Sequence, residues 1–124
     1  MNIELRPHHV LGYLGYIKNP KANHFAEFRK VKGYFHSDKL VKHWIKTIKN
    51  LHENPNLKFK YVPSMDTVCK ECEHSKECHD PNHKYYKIVK DADQYAIKWM
   101  PELKFEKIYN GEFLRKLFEK KGWL

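Results

Sequence analysis

Apolar positions in this chain recur mostly at helical spacing, and one short stretch alternates. The most regular stripe is Leu40, Val41, Trp44, Ile45, Ile48 and Leu51, whose steps place these residues on one face of a helix. Ser37-Asp38 supplies capping side chains ahead of it, and Asn54-Pro55-Asn56 stops it. A second stripe, Tyr85, Ile88, Val89, Ala92, Tyr95, Ala96 and Trp99, predicts a buried helix face opened by Asp80-Pro81 and ended by Met100-Pro101. Shorter helices are predicted over 5–16, 21–31 and 111–121. The first has Pro7 in its opening turn and Val10, Leu11 and Leu14 on one face, with Gly12 and Gly15 weakening it. The second carries Phe25, Phe28 and Val31 and ends at Gly33; the last uses Phe113, Leu114, Leu117 and Phe118. Residues 57–62 alternate instead, so Leu57, Phe59 and Tyr61 share one face of a strand that Pro63 closes. A strand needs a partner, and residues 2–5 and 104–109 are the candidates. The expected architecture is mainly α with a small β element, an α+β fold. It forms a compact single domain over 1–124, with a Cys-rich loop between a strand and a helix.

Composition narrows the class. The 124 residues are 41% hydrophobic and 15% aromatic, enough to fold around a core without staples. Twenty-four basic residues against 15 acidic ones give a net charge of +9, which favours acidic partners. Lys outnumbers Arg by 21 to 3, and Arg is the better reader of bases, so nucleic acid is a possible partner but not the favoured one. No apolar run approaches the ~18 residues that a transmembrane helix needs, so no membrane partner is expected. Met1-Asn2-Ile3-Glu4 has neither a basic start nor an apolar run, and the expected location is cytoplasmic.

The chemistry concentrates between Asp66 and His79. Cys69-x2-Cys72-x5-Cys78 places three thiols within ten residues, separated by polar and charged residues. Two intervening residues let a pair of sulfurs turn toward one ion, as in zinc knuckles and iron–sulfur loops. Three cysteines cannot all pair within one chain, and a reducing compartment keeps thiols free. A metal would also supply the ordering energy that this polar loop lacks. Redox-active thiols and plain packing cysteines are the competing readings. A metal site usually needs a fourth ligand. His79 adjoins Cys78, His74 lies inside the loop, and His8 and His9 sit far away in sequence. The His8-His9 pair is either the polar rim of a helix start or a ligand and proton-carrying pair.

The stretch Leu5-Arg6-Pro7-His8-His9-Val10-Leu11-Gly12, followed by Leu14-Gly15-Tyr16, resembles the opening motif of a family of small bacterial and archaeal proteins catalogued as domain of unknown function 1284. Further matches are Lys32-Gly33-Tyr34, then Asp66 through Cys69 and Cys72 with Cys78 beyond, and an acidic residue in the next helix at Asp91. The resemblance covers roughly residues 5–95 and implies iron–sulfur binding. This chain departs from the pattern at Gly12, where the family carries a Cys, and it has extra residues between Tyr16 and Lys32. The family pattern implies an N-terminal helix that brings a thiolate and a His to the three-Cys loop. Without that thiol, a Cys3His site completed by His8 or His9 restores four ligands and suits zinc. A cluster with an open or His-ligated iron is the alternative.

Three functions follow as expectations. The leading one is a small metal-binding protein, zinc or iron–sulfur, whose metal ligands come from Cys69, Cys72, Cys78, His9 and His8. The second is a metal-dependent or redox enzyme using His8 and His9 beside the loop, with Arg6 as an anion anchor. The third is a basic nucleic-acid-binding module with aromatics stacked on bases.

Overall fold

A computed structural model describes residues 3–19, 38–72 and 75–124. The helix expected over 21–31, its Gly33 end, the Lys32-Gly33-Tyr34 step and His74 lie outside the described residues. The described elements run β1 (Ile3–Leu5), α1 (Pro7–Lys18), α2 (Asp38–Glu53), β2 (Lys58–Tyr61), α3 (Thr67–Lys70), α4 (Ser75–Cys78), α5 (Lys84–Trp99), β3 (Ile108–Asn110) and α6 (Gly111–Lys120). Helices dominate, and the fold is α+β.

The alternating stretch becomes β2, and both candidate partners flank it in the order β1-β2-β3. β1 lies parallel to β2, with Ile3 opposite Phe59 and Leu5 opposite Tyr61; β3 lies antiparallel, with Phe59 opposite Tyr109. Period-two alternation buries Phe59 and Tyr61 while Lys58 faces solvent. Ile3, Leu5, Phe59 and Tyr61 form the sheet side of a core that Val10, Tyr13, Trp44, Ile48, Leu51, Leu114 and Phe118 complete from the helices. Each such large side chain contributes about 1.5–3 kcal/mol by leaving water. Gly111 lets α6 begin close to the end of α2: a Cβ there would stand 2.8 Å from the Leu51 carbonyl oxygen.

Several faces differ from their predicted ones. On α2, Ile45 is exposed while Thr47 is buried, its hydroxyl donating to the His43 carbonyl at 2.9 Å. On α5 the inward face is Val89, Asp93 and Ala96, continued by Met100. Tyr95 and Trp99, expected inside, are 59% and 47% exposed and pack on each other with ring centroids 6.0 Å apart. The inward stripe is rotated toward Asp93, because that carboxylate has buried partners. α5 also starts later than Asp80-Pro81 suggests. Asp80 instead accepts from the Asn82 N–H at 2.9 Å, and His83 caps the helix by accepting from the Tyr85 N–H. Phe113, expected inside on α6, is exposed.

Candidate metal centre

The centre lies where the parallel strands end. β1 runs through Arg6 directly into Pro7, which has no N–H; the Arg6 carbonyl accepts from the His9 and Val10 N–H groups, and the Arg6 and His8 N–H groups are left needing acceptors from elsewhere. Two carboxylates from distant elements provide them. Asp66 Oδ2 accepts from the Arg6 backbone N–H at 2.8 Å, and Asp93 Oδ1 accepts from the His8 N–H at 3.0 Å. Negative charge at a helix N-terminus is also favoured by the helix dipole.

Asp66 is at once the N-cap of α3, accepting from the Cys69 N–H at 3.0 Å through Oδ1. Its Oδ2 lies 2.5 Å from His9 Nδ1. One fully buried carboxylate therefore fixes the start of α1, the imidazole of His9 and the turn that carries Cys69. Thr67 adds a tie to the sheet, its hydroxyl accepting from the Glu4 N–H at 2.8 Å.

Arg6 does not point to solvent as an anion anchor would. Its side chain is buried, with Nε and Nη2 donating to Asp93 Oδ2 at 3.0 and 2.7 Å. Nη1 lies 3.3 Å from Cys69 Sγ and 2.9 Å from His79 Nε2. His79 Nδ1 is 2.6 Å from the Ser75 carbonyl oxygen, which can only accept, so the ring proton belongs on Nδ1 and Nε2 receives Arg6. The same reasoning applies to the His pair. His8 Nδ1 is 2.6 Å from Asp93 Oδ1 and His9 Nδ1 faces Asp66, so each neutral ring keeps its proton on Nδ1 and its lone pair on Nε2. The two rings stand 4.2 Å apart, centroid to centroid.

The electrostatics follow from burial and these contacts. Burial alone would push the Asp66 carboxyl up, but His9 and the two backbone N–H groups hold it far below the ordinary range. Burial opposes Asp93 likewise, and His8 and Arg6 outweigh it, leaving that carboxyl at about 2. Burial works against the Arg6 charge, and Asp93 and Cys69 more than restore it. His8 is lowered to about 4, by burial first and by its neighbour His9 second. Burial, then the Asp66 carboxylate, pushes the Cys69 thiol up to about 12, and burial lifts Cys78 to about 11. Near neutrality both are thiols, and a bound cation is what would convert them to thiolates.

Donor atoms of His9, Asp66 and Cys69 all lie within 4.8 Å of one another, so this buried group can hold a metal ion. Asp66 already accepts three contacts on its two oxygens, which makes it the orienting group; His9 Nε2 and Cys69 Sγ keep lone pairs. The three cysteines are unpaired. Cys72 follows Cys69 on the same turn, its N–H donating to the Cys69 carbonyl at 3.0 Å, and Ser75 N–H donates to the Cys72 carbonyl at 3.1 Å. Cys72 and Cys78 are half-buried, and the Ser75 hydroxyl is buried without a hydrogen-bond partner among the described residues.

Of the expected site residues, His9 and Cys69 are brought together. His8 stands beside His9 but is tied to Asp93, and Cys72 and Cys78, though near Cys69 in sequence, lie outside the donor group of His9, Asp66 and Cys69. The acidic residue that matters on α5 is Asp93. Asp91, matched by the resemblance, is exposed and pairs with Lys87 at 2.9 Å. The signal available in the sequence was a carboxylate at the three- and four-residue spacing of Val89, Ala96 and Met100. Gly12 has its own neighbour: a Cβ there would stand 2.7 and 2.8 Å from ring atoms of Trp44, and that ring lies 5.2 Å from His9.

No helix among the described residues is long and apolar enough to cross a membrane. Comparison with curated proteins and with solved structures returned no match. One family profile matches residues 33–122, a span that takes in Asp66, the three cysteines and Asp93 and leaves the Arg6–His9 stretch outside. By that match, over well more than half its length, the chain belongs to the family described as a protein of unknown function, DUF1284.

Proposed function

We propose that this chain is a metal-binding protein whose centre takes the thiolates of Cys69, Cys72 and Cys78, with His9 as the fourth ligand. The observation that carries this reading is the His9–Asp66 pair. A metal-bound imidazole almost always gives its other N–H to a carboxylate or carbonyl, which fixes the ring and raises its basicity. Asp66 does this from a position already dictated by capping the Cys69 turn. Three thiolates around a divalent ion leave a surplus negative charge, and Arg6 beside Cys69 Sγ offsets it. His8, held by Asp93 and outside the donor group of His9, Asp66 and Cys69, is the neighbouring ring rather than the ligand.

Three sulfurs and one imidazole suit zinc, which would cross-link the polar segment between α3 and α4 to the start of α1. The same thiolates suit an iron–sulfur cluster, the reading implied by the family resemblance. The cytoplasm, where thiols stay reduced, is the compartment this chemistry requires.

Elemental analysis and an absorbance spectrum on protein purified without oxygen test the reading. One zinc per chain and no visible colour is expected of the Cys3His site; iron, sulfide and a brown colour identify the cluster. Cys69→Ser and His9→Ala should each lower metal content several-fold, and Cys72→Ser should lower the melting temperature. A wild-type protein with three freely titrating thiols that takes up neither zinc nor iron on reconstitution would sink the proposal.

A further inference from the structure

A cavity of about 230 Å³ opens against the outer side of the buried network. Arg6, Asp93, Cys78 and His79 form its inner end, and Lys90 and Gln94 line it from α5. Val89, Ile97 and Phe105 supply its apolar wall. Val89, Lys90, Asp93, Gln94 and Ile97 stand at three- and four-residue steps on one side of α5, so a single helix face presents both a polar strip and an apolar one.

The charges in this lining do not cancel. Arg6 and Lys90 are two cations, and Asp93 is one anion. Both Asp93 oxygens are committed to Arg6 and His8, and the Arg6 nitrogens are committed to Asp93, Cys69 and His79. The surplus positive charge therefore falls to Lys90. Its Nζ lies 5.8 Å from the centre of the Tyr86 ring, and no carboxylate among the described residues pairs with it. Gln94, one turn further along α5, offers a neutral N–H donor.

We infer that this cavity binds a small carboxylate with an apolar body, its acid group on Lys90 and Gln94 and its body against Val89, Ile97 and Phe105. A single surplus charge and a largely apolar wall suit a monoanion; a phosphate dianion would be left under-compensated against apolar surface. The volume lies below the roughly 300–1,000 Å³ of drug-sized pockets, so the occupant is about the size of benzoate. The cavity and this charge count are those of the metal-free protein, in which Cys78 is a neutral thiol; loading the proposed centre would add the Cys78 thiolate to the lining, and only that part rests on the metal reading above.

Calorimetric titration with benzoate, benzylamine and inorganic phosphate tests the inference, with metal content measured on the same samples. Saturable one-to-one binding of benzoate is expected. Lys90→Gln should weaken it about tenfold or more with metal content unchanged. Ile97→Trp should fill the cavity and abolish binding; should that variant fail to fold, Gln94→Leu, on the solvent-facing side, should weaken binding several-fold. Equal binding of benzylamine, tighter binding of phosphate, no binding of benzoate, or a Lys90→Gln protein of unchanged affinity would overturn the assignment. Benzoate binding to protein that takes up no metal would leave the cavity standing and remove the metal reading. Metal uptake by a protein whose metal-free form ignores benzoate would do the reverse.

Discussion

Asp66 and Asp93 each hold one of two adjacent histidines by Nδ1 and one backbone N–H at the start of the same helix, yet they work in different surroundings. Asp66 is fully buried and spends its oxygens on two backbone N–H groups and His9. Asp93 lines a cavity and spends its oxygens on a guanidinium and on His8. The first is a knot in the backbone, where nothing replaces a lost acceptor. The second is a charge pair at the edge of a space that water can enter. Similar hydrogen bonding therefore carries different consequences, because the cost of losing a partner depends on what can take its place.

Substitution should separate the two most sharply. Asp66→Ala leaves the Arg6 and Cys69 N–H groups and the His9 ring unpaired in a dry interior, at an expected cost of about 3–5 kcal/mol. Asp93→Asn keeps the side-chain volume and one acceptor, and water in the cavity can solvate Arg6; about 1–3 kcal/mol is expected. Urea unfolding of metal-free protein measures both. Equal losses would show that the cavity gives Asp93 no relief.

Acid should expose the Asp93 side of the comparison next. Its carboxyl is held at about 2 against an ordinary 3.8, so the folded protein binds that proton less readily than the unfolded chain. The stabilisation is complete above about pH 4 and is lost as pH falls toward 2, amounting to roughly 2 kcal/mol. Because His8, also lowered and bonded to Asp93, titrates in the same range, the comparison is made in a His8→Gln background, where stability should drop between about pH 5 and about pH 3 more than when Asp93→Asn is added; parallel curves there would contradict the assignment. Asp66, held lower still by its contacts, should give way only in stronger acid.

The smallest effect sharpens the Asp66 side, through the packing around His9. Gly12→Ala gains helix propensity of up to about 1 kcal/mol, but its methyl meets the Trp44 ring, and overpacking costs about 1–3 kcal/mol. A net loss of about 1 kcal/mol and altered Trp fluorescence are expected. A stabilised variant would mean that Trp44 moves freely beside His9.

Much of this was legible in the residues. The Cys69-x2-Cys72-x5-Cys78 spacing and the alternation that buries Phe59 and Tyr61 can be read directly, because local periodicity and turn chemistry decide them; for the partners of β2, which pair non-locally, the residues offer only the candidates 2–5 and 104–109, and β3 begins at Ile108. The roles of Arg6 and Asp93 cannot be read this way. Arg6 reads in the sequence as an anion anchor and in the structure is buried against Asp93, because its partner lies 87 positions away and no local pattern announces the pair. Asp91 is the residue the family resemblance matches, and the helical spacing of apolar positions puts Tyr95 and Trp99 inside; neither pattern points to Asp93. A buried charge pair overrode both expectations and set which way α5 faces. Asp66 is an intermediate case: its capping of Cys69, three residues on, is a short-range signal, whereas its hold on His9 is not.

The parallel pairing of β1 with β2 has a consequence for the order in which the molecule assembles. His9 and Asp66 are separated by 57 positions, and the Arg6–Asp93 contact spans more. Closing loops of that size is entropically slow to be repaid, so non-local strand pairing governs the rate of folding. The Cys69 thiol and the His9 imidazole meet only after that closure. If the chain holds a metal as proposed, an ion caught by the cysteines alone would be held loosely in a partly folded chain and gripped fully only once the topology is complete.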